Sequence, residues 1–176
     1  MLEQSLDYFL ADKQGADLSD TLIAEACQTL RTNREEYLVQ IGNETIISKL
    51  VEAASLWLSP DYELRKLALA AAPETTGFPR EVLAAGLDAC FSEWTQENFF
   101  ELLGQEFGDA TRLQSFGSLS SHSLAMVHGP QLIAHVAPGN LPVPVFQSIA
   151  FGLLLRSAQF VKCASGKSLL PRLFGH

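Results

Sequence analysis

Between Asp20 and Phe107 the apolar side chains recur with a period near 3.6, the spacing of one face of a helix. Leu22, Ile23, Ala26, Cys27 and Leu30 form a first stripe, with Gly42 ending that helix or its continuation. Ile46, Ile47, Leu50, Val51, Ala54 and Trp57 form a second, cleaner one. Ser59 and Pro60 offer an N-cap with proline at the first helical position, opening a helix that carries Leu64, Leu67, Ala68 and Ala71 until Pro73 stops it. The segment PETTGFP then reads as a loop. Two further helices are predicted over Arg80–Ser92 and Thr95–Phe107, the second closing at Gly108.

After Asp109 the texture changes. RLQSFGSLSSHS is rich in Ser and Gly and reads as a connecting loop. LAMVHGPQLIAHVAPGN reads as extended segments around Gly129 and Pro130, with a strand over Leu132–Val136. Val145, Phe146, Ile149, Ala150, Leu153 and Leu154 then mark a helix, Gln159–Cys163 a second strand, and SGKSLLPRLF the opening of another helix. Strand, helix and strand over some 30 residues make a βαβ unit. The fold class is therefore α/β: a helical N-terminal region over 1–109, followed over 110–176 by an opening βαβ unit. Parallel strands this apolar need cover on both faces and further strands beside them, so the sheet is expected to be incomplete.

Charge divides the chain at the same place. Twelve Lys and Arg stand against twenty Asp and Glu, a net −8, which argues against a nucleic-acid partner. All twenty acidic residues lie between Glu3 and Asp109; the last 67 residues hold Arg112, Arg156, Lys162, Lys167 and Arg172 and no carboxylate side chain. Cys27, Cys90 and Cys163 are odd in number and far apart, which fits a reducing, cytoplasmic compartment. The acidic N-terminus is not an export signal, and the most apolar stretch, Leu141–Leu155, is too short to span a bilayer.

The segment His135–Ser168, HVAPGNLPVPVFQSIAFGLLLRSAQFVKCASGKS, carries the chemistry. Through Pro138, Gly139 and Asn140, the apolar helix after them and the strand ending in Lys162, it resembles the bacterial acyl-CoA reductases that make fatty aldehyde for bioluminescence, a branch of the aldehyde dehydrogenase superfamily. LRKLALAAAPETTGFPREVLAAGLDAC is similar to that family's N-terminal region. The resemblance implies that 110–176 open a Rossmann-like, aldehyde-dehydrogenase-type cofactor domain, and an oxidoreductase in which a cysteine thiolate takes the acyl group from a fatty acyl-CoA and NADPH reduces it to aldehyde. It implies that Asn140 donates to the thioester oxygen as it becomes tetrahedral, and that Ala137, Pro138, Gly139, Lys162 and Ser165 line the cofactor site. Ser165 stands where the wider superfamily has a glutamate that repels a 2′-phosphate, which favours NADPH. The plainer reading of Asn140 is a strand end or a cap for the helix from Val143, and that of Lys162 a solvated lysine at a sheet edge.

Other patterns carry less. ASGKS has the tail of a phosphate-binding loop, but Val161 occupies the position of its first glycine. His122, His128 and His135 lack metal-ligand spacing, and no metal is expected. Cys163 reads as a structural thiol; the family's nucleophilic cysteine comes well over a hundred residues after the lysine strand, so this chain is expected to be an N-terminal portion, inactive alone, completed by a C-terminal lobe or a second polypeptide and forming an oligomer. The rival from another class is a non-catalytic helical interaction module, or a truncated relic.

Overall fold

The computed structural model describes residues 19–138, 143–164 and 169–176. The architecture is α/β and mostly helical, with two small sheets. The elements are α1 (Asp20–Tyr37), α2 (Asn43–Leu58), α3 (Glu63–Thr76), α4 (Arg80–Ser92), α5 (Gln96–Phe107), β1 (Gly117–Ser120), β2 (Ser123–Ala125), β3 (Leu132–Val136), α6 (Val143–Leu154), β4 (Ala158–Lys162) and α7 (Leu169–Gly175). β1 and β2 pair antiparallel; β3 and β4 pair parallel around α6, as the strand–helix–strand pattern predicts.

The core is aromatic. Trp57 of α2 stacks on Phe91 of α4 at 5.6 Å, Phe91 on Phe146 of α6 at 5.8 Å, and Phe146 meets Phe174 of α7 at 4.7 Å. Ile46, Ile47, Leu50, Leu83, Leu87, Phe99 and Leu103 fill the space around these rings, so residues from both sides of position 109 share one hydrophobic cluster. Rings of this size bury much apolar area and gain a further increment from their mutual geometry. α1 differs: Ser19 caps it by accepting from the Leu22 N–H, but it buries no side chain fully and lies against β3 and β4.

Three local readings change. Ser59 and Pro60 close α2 instead of opening α3. Proline disfavours helical geometry in the residue before it, Ser59 turns extended (ψ 126°), and its hydroxyl accepts from the Asp61 N–H. Pro73 lies inside α3, which runs one more turn because the Thr75 and Thr76 hydroxyls donate to the Ala72 carbonyl and the Gly77 N–H (φ 78°) donates to the Pro73 carbonyl. Half of PETTGFP is thus helical. The Ser-rich stretch after Asp109 is also ordered, as a 3-10 turn over Ala110–Leu113 and the β1–β2 hairpin. At the first boundary, Gly42 serves as the N-cap of α2, while α1 has already ended at Tyr37.

A buried polar knot ties the βαβ unit to the helices. α6 ends in a Schellman turn, the Ser157 N–H donating to the Gly152 carbonyl and the Arg156 N–H to that of Leu153, which places Arg156 in the left-handed region at φ 54°. For a non-glycine residue that conformation costs about 1–2 kcal/mol. The guanidinium offsets it by donating to the Ile41 carbonyl (2.8 Å), the Leu113 carbonyl (3.2 Å) and Asn43 Oδ1 (2.6 Å). Asn43 donates in turn to the Ala110 carbonyl (2.6 Å). Arg34 of α1 donates to the Arg156 carbonyl, completing the link.

Candidate functional site

The parallel register runs from Leu132 beside Ala158 to Val136 beside Lys162. It continues one step past the strands, the Ala137 N–H donating to the Lys162 carbonyl at 2.9 Å. The carboxyl ends of β3 and β4 therefore form one edge. In open α/β sheets this is the edge outside which ligands bind. Ala137 is buried there, while Pro138 and Lys162 are exposed. Gly139, Asn140 and Ser165, predicted for the same site, lie outside the described residues, as does the Gly166–Ser168 stretch.

Behind the edge three polar side chains pair inside the unit, while the buried Ser157 hydroxyl has no hydrogen-bond partner among the described residues. His135 of β3 is buried between Ser148 of α6, whose hydroxyl lies 2.8 Å from Nδ1, and Gln159 of β4, whose Oε1 lies 2.8 Å from Nε2. Gln159 Nε2 donates to the Ile149 carbonyl at 3.0 Å. Because Oε1 can only accept, the proton sits on His135 Nε2, and in the neutral ring Nδ1 accepts from Ser148. The side chain of Gln159 occupies the space that a Cβ on Gly152 would take, 2.4 Å from Oε1. This clamp fixes both strands to α6. A histidine on β3 is visible in the sequence, but its partners 13 and 24 residues away are not.

Two basic side chains act on Cys163 at the end of β4. Burial pushes the Cys163 thiol up, while the nearby Arg172 and Lys162 charges pull it partly back. Arg172, on α7, thus joins Lys162 in the field of this edge, a proximity that spacing alone does not reveal. Cys90 is buried in the aromatic core, and its thiol is pushed up to about 11 by desolvation despite a compensating contact with Trp94. His122 and His128 are exposed on the hairpin side of the chain and His135 is enclosed as described. Among the described residues no three His, Cys, Asp or Glu side chains are grouped as a metal ion would need, and no helix is long and apolar enough to cross a membrane.

No curated protein and no solved structure matches the chain. The family model described as acyl-CoA reductase (LuxC) matches residues 38–175, a span that begins just after α1 and takes in the aromatic core, the Arg156 knot and the β3–β4 edge. With most of its length inside that span, the chain belongs to the LuxC acyl-CoA reductase family.

Proposed function

We propose that the chain is the N-terminal portion of an NADPH-dependent reductase of long-chain acyl-CoA, which yields fatty aldehyde through a cysteine acyl-enzyme. Residues 1–109 act as the helical support and 110–176 as the opening of a Rossmann-like cofactor domain. The single observation that carries this reading is the hydrogen bond from Ala137 to Lys162, which joins the chain segment leading to Asn140 and the one leading to Ser165 at one strand edge.

The residues present suit a dinucleotide bearing an extra phosphate. The Lys162 ammonium is exposed at a strand end, Arg172 contributes its field, and no carboxylate side chain follows Asp109 to repel an anion. Lys162 holds the adenosine-ribose side, and Ser165 leaves room for a 2′-phosphate. Ala137, Pro138 and Gly139 bring backbone close to the cofactor. The cofactor supplies hydride. Asn140 donates from its side-chain amide to the thioester oxygen where negative charge develops, a contribution worth about 10²–10³ in rate for a single donor.

Neither Cys90, buried in the aromatic core, nor Cys163 suits the role of nucleophile. A reactive cysteine needs a depressed pKa, whereas burial raises those of Cys90 and Cys163. In this reading the thiolate comes from a C-terminal lobe or a second polypeptide, and the assembled enzyme is a cytoplasmic oligomer. A second reading, the helical interaction module, draws support from the exposed apolar side chains of Phe116, Leu119 and Leu124 around the hairpin.

Fluorescence titration with NADPH, NADH and the Lys162→Ala variant separates the two. The proposal expects NADPH to bind more tightly than NADH and the variant to lose about tenfold or more in NADPH affinity, the weight of one charged contact. Equal affinity in wild type and variant, or no NADPH binding at all, overturns it.

A further inference from the structure

An apolar cavity of about 150 Å³ opens between α4 and the first turns of α6 and α7. Phe78, Val82, Leu83, Leu87, Val143 and Leu170 line it with carbon. Gly86, on the α4 face between Val82 and Leu87, completes the wall, and a Cβ built there meets nothing within 4 Å. A larger side chain at this position would therefore project into open space at the cavity wall. Glycine inside a helix costs about 0.5–1 kcal/mol relative to alanine, so local helix stability does not favour its presence.

The cavity touches the two helices that follow the strand edge in the chain. Val143 begins α6 only three residues after Asn140, and Leu170 stands in the first turn of α7, five residues after Ser165. In this unit α6 and α7 follow the carboxyl ends of β3 and β4, so their first turns stand on the side of the sheet where ligands of such folds bind. A dry cavity of about this size lined by Leu, Ile and Phe accepts a six-carbon hydrocarbon such as benzene.

We propose that this cavity receives the alkyl chain of the acyl thioester, and that Gly86 sets how much of that chain the protein accommodates. The assignment rests on the acyl-CoA reading given above. Polar contacts at the strand edge would orient the thioester head, while the cavity would select among tails by the area each buries. Each methylene removed from water is worth about fourfold in affinity.

Calorimetric titration of the chain with straight-chain alkanoyl-CoA from butyryl to dodecanoyl, with free CoA, NADPH and 1-octanol alongside, tests this. Affinity is expected to rise about threefold to fourfold per methylene over roughly six carbons and then to level off. Gly86→Leu fills the cavity and should weaken the longer chains by at least about tenfold while leaving free CoA unchanged. The matched Gly104→Leu, at a second helical glycine with open space around it, should leave the series unaltered. Thermal melting of Gly86→Leu at or above the wild-type midpoint shows that the loss is not unfolding. If CoA and NADPH bind but chain length or Gly86→Leu makes no difference, the cavity assignment falls and the reductase reading stands. If 1-octanol binds in a Gly86-dependent way but neither CoA nor NADPH does, the reductase reading falls and takes the named occupant with it.

Discussion

The aromatic core and the βαβ unit are held by different forces. Around Phe91, Trp57 and Phe146 the contacts are non-directional, and side chains from six helices exclude water together. Around Arg156, His135 and Gln159 the contacts are directional, and nearly every buried donor meets a named acceptor. Hydrophobic packing tolerates adjustment and sets how much stability there is. A polar network tolerates little and sets where two strand ends come to rest, which is what a site needs.

Breaking each region in turn should expose the contrast. Phe91→Ala leaves a large void at the centre of the ring cluster and is expected to cost about 3–5 kcal/mol in urea unfolding. Because α6 and α7 share that cluster, helical and βαβ signals should be lost in a single transition. Arg156→Leu strands the carbonyls of Ile41 and Leu113 and Asn43 Oδ1, for an expected cost of about 2–4 kcal/mol. A double-mutant cycle with Asn43→Ala should show coupling of about 1–3 kcal/mol, whereas Phe91→Ala with Asn43→Ala should be closer to additive. Gly129→Ala sharpens the comparison from the backbone side. Its Cβ would lie 2.3 Å from the Leu155 carbonyl oxygen, which cannot swing away as a side chain does, and about 1–3 kcal/mol should be lost.

The remaining effect is a pH dependence. The Cys90 thiol titrates near 9 when exposed and is pushed up to about 11 in the fold. The unfolded chain therefore releases its proton first as pH rises, and stability should fall between about pH 9 and 11 while remaining unaffected by this group below that window. Melting curves of Cys90→Ala should lack that part of the slope.

These two regions also differ in how far they can be read from sequence. Helical periodicity located α4 over Arg80–Ser92 and revealed the buried stripe of α2, because a face that packs on one core repeats every 3.6 residues. Alternation of strand and helix pointed to the β3–α6–β4 unit but not to the register that brings Ala137 to Lys162. Punctuation was less informative. Ser59 and Pro60 can end one helix as readily as begin another, and threonine hydroxyls carried α3 past Pro73. The hairpin after Gly117 has almost no apolar alternation to announce it. Arg156 gave no signal at all, since its partners Asn43 and Leu113 lie 113 and 43 residues away and meet it only once the chain is folded.

Amide hydrogen exchange with and without NADPH tests most directly whether the two strand ends form one cofactor-binding edge. The account predicts that amides over 137–140 and over 162–165 slow together when NADPH is present, and that Lys162→Ala removes the protection at both. Protection confined to one of the two segments, or found only on the helices of the aromatic core, would contradict it.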